Sequence, residues 1–151
     1  MKRSYANLIL PAALVGALIG FVTGKAVASS AAFAFTMNLR YVDGEKNKML
    51  HTLDDGDLTL SGDLWVTGKK SKATSDPDSI SISVYKKGLV NSELCSTSVI
   101  PDRIFNKKVA FSKSCGHAES DTYFLTVSKG EALDKTGDGW QIQGSGSLVT
   151  K

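Results

Sequence analysis

Apolar and polar side chains alternate residue by residue over most of the chain beyond position 32. A strand satisfies this period of two by burying one face, and a helix cannot. Phe33, Phe35, Met37, Leu39 and Tyr41 fall on one parity with Thr36, Asn38 and Arg40 between them, and Asp43-Gly44 closes the run. Met49, His51 and Leu53 form a shorter run that ends in the turn-forming residues Asp54 to Asp57. Leu58, Leu60, Leu64 and Val66 then share a face opposite Ser61, Asp63, Trp65 and Thr67, with Gly62 read as a bulge.

Farther along, Ile80, Ile82 and Val84 alternate with serines and Tyr85, and Lys87-Gly88 reads as a hairpin turn into a strand whose Val90 and Leu94 face inward. Phe105, Val109 and Phe111 share a parity in a strand expected over 104–112. Tyr123, Leu125 and Val127 mark another, and a last strand from Trp140 to Thr150 carries Gly144 and Gly146 as interruptions. Only 130–135 hints at a helix. The pattern predicts an all-β fold: a single antiparallel sandwich of seven or eight short strands over residues 29–151, with a small closed barrel as the alternative.

The first 28 residues read differently. A short basic start is followed by an apolar run, Leu8 to Val22, and then by the small-residue pattern Ala26-Val27-Ala28, the order of a secretory signal peptide cut before Ser29. A retained anchor is the competing reading, with Gly16 and Gly20 at the spacing of packed transmembrane helices. The apolar run is nevertheless shorter than the ~20 residues that span a bilayer. Lys2, Arg3 and Lys25 account for the whole net charge of +3, so the remainder is neutral and lacks the cationic surplus that nucleic-acid binding requires. Membrane contact is expected only before the leader is removed, and the destination is secreted or periplasmic.

In an oxidising compartment the two cysteines, Cys95 and Cys115, are expected to form a disulfide. A zinc site would need four ligands, and only His51 and His117 are left to join them. Asp134, Thr136 and Asp138 place oxygen ligands at alternate positions before Gly139, which partly follows a calcium loop but lacks its closing acid. No other cofactor is indicated. Neither a nucleophile elbow nor a compelling triad occurs, although His117 with Asp121 and a nearby serine is a conceivable one.

Trp65 lies on the polar parity of its strand with Asp63, and Tyr85 on the serine face of another. Paired as neighbours, the two strands would present an aromatic strip to a protein or carbohydrate ligand. The functional expectation is a small exported non-catalytic module for binding or structure. Its alternatives are a secreted inhibitor or effector, a small hydrolase, and a filament subunit in which a strand such as Ala32 to Val42 pairs with a neighbour's sheet.

Overall fold

The computed structural model describes residues 28–130 and 138–151. Nine strands run in the order β1 (Ser30–Met37), β2 (Tyr41–Asp43), β3 (Leu50–Leu53), β4 (Gly56–Lys69), β5 (Ile80–Lys86), β6 (Ser92–Val99), β7 (Val109–Ala118), β8 (Asp121–Lys129) and β9 (Trp140–Thr150), and the described residues contain no helix. Every pairing is antiparallel. One sheet has the order β1-β9-β4-β7 and the other β2-β8-β5-β6, with β3 also paired to β8. The sandwich reading holds, and the barrel does not.

Burial follows the alternation. Leu58, Leu60, Leu64 and Val66 of β4 are fully enclosed, as are Ile80, Ile82 and Val84 of β5, and these two central strands face Ile142 and Leu148 of β9 and Leu125 and Val127 of β8 in one core. Each such side chain stabilises the fold by roughly 1.5–3 kcal/mol relative to exposure. Gly62 is not a bulge: it pairs in register with Phe111 and Gly146, and a side chain there would run into the Phe111 ring, Cζ of which lies 2.9 Å from the Cβ position. Gly144 and Gly146 likewise do not interrupt β9. The rings of Phe35 and Phe33, opposite them on β1, occupy the space their side chains would fill. Aromatics from the two edge strands thus lie inward across glycines of the two central strands, a close approach that only glycine permits.

Three expected strands are differently bounded. The run from Phe33 to Tyr41 is cut at 38–40, where the chain leaves one sheet for the other, so Leu39 and Tyr41 are exposed although their parity continues. Val90 is 87 % exposed at the tip of the β5–β6 connection, because β6 begins only at Ser92. Ile104 and Phe105 lie in the connection ahead of β7, held by the Asp102 side chain, which accepts from the Ile104 amide at 2.9 Å, and by the Asn106 amide donating to Val66 O at 2.8 Å. The helix expected near 130–135 and the leader over 1–28 fall, apart from their last or first described residues, outside the described residues.

The antiparallel registers sort the connections into two groups. Residues 38–40, 70–79 and 100–108 gather at the end marked by Trp140 and Lys129, whereas 54–55, 87–91 and 119–120 gather at the end marked by Ser30 and Thr150.

Candidate functional site

Trp65 and Asp63 point outward from β4, and Tyr85 points outward from β5. These strands belong to different sheets, so the aromatic strip does not form: the two aromatics sit on opposite outer faces of the sandwich. Trp65 is partly buried, with the Lys108 ammonium 5.1 Å from its ring centroid. It closes a shallow groove of about 250 Å³ whose other walls are Ala34, Phe35, Thr36, Gln143 and Ser145. Around it the outer face is built largely of small side chains. Registered rows such as Ala32, Ser147, Ser61 and Ser112, or Ala34, Ser145, Asp63 and Ala110, run across all four strands.

On the opposite face Tyr85 stacks on Phe124, with ring centroids 5.5 Å apart, and donates its hydroxyl to Glu93 at 2.8 Å. That hydrogen bond, ahead of burial, raises the Tyr85 pKa, since the phenolate would face a carboxylate. A second groove of about 230 Å³ opens beside them between Tyr41, Asp43, Glu45 and Asn91.

The disulfide joins Cys95 of β6 to Cys115 of β7, with Cα atoms 5.2 Å apart, and so ties an edge of one sheet to an edge of the other. Two irregularities lie beside it. The register slips past Leu94, between the pairs Val84 with Cys95 and Tyr85 with Glu93, and Cys115 is itself the extra residue between Ser114 and Gly116. Cys115 thereby leaves the regular ladder, whereas Cys95 stays paired opposite Val84, next to the extra residue Leu94. Reduction, or Cys95→Ser, is expected to lower the unfolding free energy by about 2–4 kcal/mol through the ~20-residue loop it opens. Urea midpoints measured with and without reductant check this, and equal midpoints would mean the bridge carries no stability.

Of the three residues placed in a calcium loop, Asp134 and Thr136 lie outside the described residues, and Asp138 is buried in an ion pair. Lys129 Nζ donates to Asp138 Oδ1 at 2.5 Å and to the Trp140 carbonyl. The same Oδ1 accepts from the Trp140 amide at 3.0 Å, and Oδ2 accepts from the Asp78 amide at 2.8 Å. Trp140 in turn donates its indole N–H to Thr74 O at 3.2 Å. Burial is the larger cause, and Asp138 the second, of a raised Asp78 pKa. This knot was missed in the sequence, yet its signal was present: Lys129 continues the inward parity of Tyr123, Leu125 and Val127, and a cation on a buried parity demands a partner.

Among the described residues neither histidine joins Asp121 and a serine. His117 lies on β7 and pairs with Asp55, Nε2 to Oδ1 at 3.2 Å, not with Asp121. His51 is partly buried on β3, its Nε2 has no hydrogen-bond partner among the described residues, and burial lowers its pKa. Asp121 instead accepts from the Thr122 amide and meets Lys86, which also binds Glu119; the Thr122 amide first and Lys86 second hold the Asp121 carboxyl below its usual range, and Lys86 does the same for Glu119.

Taking β2 and β3 as one interrupted strand along β8, the two sheets have the strand order of a jelly roll, the double-sheet solution built from two Greek keys. No protein-family model matches the chain, and no curated protein matches it in sequence. Among solved structures it is similar to one from work on Bacillus endospore appendages described as a family of disulfide-linked pili (11 % identity, TM-score 0.40, 97 % of this chain and 98 % of that one). It is also similar to the infectious bursal disease virus VP2 subviral particle (12 %, TM-score 0.42, 82 % of this chain and 32 % of that one) and to Desmodium yellow mottle tymovirus (11 %, TM-score 0.33, 98 % and 95 %).

Proposed function

We propose that the protein is an exported structural subunit that joins copies of itself by strand addition at β1. The observation that carries this reading is the state of the four sheet edges. β7 carries Lys113, His117 and the bulge at Cys115; β6 carries Glu93 and the bulge at Leu94; the β2–β3 edge is interrupted by residues 44–49. These are the devices by which natural sheets guard their edges. β1 has none: its eight residues, Ser-Ala-Ala-Phe-Ala-Phe-Thr-Met, pair with β9 without a register shift and include no charge and no proline.

The Thr150 amide donates to Ser29 O at 3.0 Å, which makes Ser30 and Val149 a non-hydrogen-bonded pair. Alternation along the ladder then turns the N–H and C=O groups of Ser30, Ala32, Ala34 and Thr36 away from β9, toward the open side. Among the described residues no strand takes that side. An arriving strand would find backbone partners there and a row of small side chains beside them. Export is supported by the disulfide, which persists in oxidising compartments, and by the leader-like first 28 residues. The earlier idea of a free strand from Ala32 to Val42 changes accordingly: only the outer side of β1 is offered, because Phe33, Phe35 and Met37 already belong to this chain's own core.

Light scattering and electron microscopy of the disulfide-bonded protein test the reading. Wild type is expected to form oligomers or fibres as concentration rises. Ala34→Lys places a charge on the exposed edge and is expected to give monomers with stability within about 0.5 kcal/mol of wild type. Wild type that stays monomeric, or an Ala34→Lys protein that assembles equally well, would defeat it.

A further inference from the structure

We infer that the two ends of the sandwich are complementary docking faces for copies of this chain, the cationic end of one seating on the acidic end of the next. This rests on the subunit reading above and adds a direction to it. At the Trp140 end the connections 38–40, 70–79 and 100–108 carry Arg40, Lys70, Lys72, Arg103, Lys107 and Lys108 against Asp76, Asp78 and Asp102. At the Ser30 end the connections carry Asp54, Asp55 and Glu119 against Lys87 alone, and the adjoining strand ends are balanced, Asp57 and Asp121 against Lys86 and Lys151.

Each charged end also offers apolar surface. Leu89 is fully exposed and Val90 87 % exposed at the tip of the β5–β6 hairpin, on the acidic end. Ile100, Ile104 and Phe105, each more than half exposed, stand on the cationic end. Apolar side chains inside a charged rim are the anatomy of a protein interface. Opposite signs on opposite ends favour contact between unlike faces over contact between like ones. A contact between two different faces of one chain is heterologous and need not close on itself, so it generates an open, polar row of subunits.

The test uses two variants of the full, disulfide-bonded protein at exposed positions, with melting temperatures compared to confirm folding. Lys70→Glu/Lys72→Glu makes the cationic end acidic, and Asp54→Lys/Asp55→Lys makes the acidic end basic. Sedimentation velocity in low salt is expected to show wild type associating, and each variant alone requiring about tenfold or more protein to do so. A one-to-one mixture of the two is expected to recover association, since each supplies the sign the other lacks. Raising NaCl to 1 M, where the screening length falls to about 3 Å, is expected to weaken wild-type association.

The proposal is overturned if wild type is monomeric in low salt, if the variants associate like wild type, or if their mixture does not. Association that survives 1 M salt and charge reversal but is lost in Ala34→Lys would leave the β1 reading standing without this one. Association lost to salt and charge reversal but kept by Ala34→Lys would do the opposite. Cosedimentation with phosphatidylglycerol vesicles without self-association would also overturn it, assigning the cationic end to a lipid surface.

Discussion

Lys129→Met is expected to lower the unfolding free energy by about 3–5 kcal/mol, the range for removing one member of a buried ion pair. The side chains of Lys129 and Asp138 are 1 % and 0 % exposed, so the carboxylate left behind has no water to turn to. Two backbone amides, of Asp78 and Trp140, still donate to it, but neither supplies the lost charge. Neutralising both members should recover part of the loss. Lys129→Met/Asp138→Asn keeps an oxygen acceptor for only one of those two amides, so the recovery is partial, and the double-mutant cycle in urea is expected to show strong coupling. Additive single losses would mean the two groups act independently and the ion pair is not what holds the Trp140 end together.

Gly146→Val is expected to cost at least about 3 kcal/mol, at the upper end of overpacking effects, and Gly146→Ala about 1–3 kcal/mol. A Cβ at this position would lie 2.7 Å from Phe33 Cζ and 2.8 Å from Gly62 Cα, and the second contact is with the backbone of the adjacent strand, which cannot swing aside. Gly116→Ala is the control. Its backbone is left-handed, φ +74°, but a Cβ there meets nothing within 4 Å, so only conformational strain of about 1–2 kcal/mol is expected. Chemical denaturation of the three proteins checks the order. Equal losses at 116 and 146 would show that the β4–β9 spacing relaxes and that the glycine-aromatic fit is not a constraint.

The strands were legible because a half-buried ladder writes a period of two into the sequence, and β4, β5, β8 and β9 appear where that period is cleanest. The fold class followed from them. What alternation does not encode is which strand lies beside which, since pairing depends on hydrogen bonds between segments far apart. That is why Trp65 and Tyr85, similar in pattern, stand on opposite faces. Alternation also runs on through a change of sheet: Leu39 and Tyr41 keep the parity of Phe33 after the chain has turned away. Glycine was read as a bulge at 62 and as an interruption at 144 and 146, whereas its lack of volume is what the packing uses. The disulfide was legible from cysteine count and compartment, but the bulges beside it were not, because they arise from the pairing registers of strands far apart in the sequence.

The placement of β1 beside β9 decides how the molecule carries a mechanical load. Ser30 and Val149 are partners, so the start of β1 and the end of β9 leave the sandwich at one corner. Tension that pulls Ser30 and Thr150 apart acts across the ladder and peels it one pair at a time, with only the pair at the fork resisting. Tension delivered along β1 through a strand seated on its open side instead loads all eight of its pairs with β9 together, in shear. An assembly joined at that edge would therefore draw its tensile strength from the ladders on both sides of β1, and would fail last where the strand runs longest.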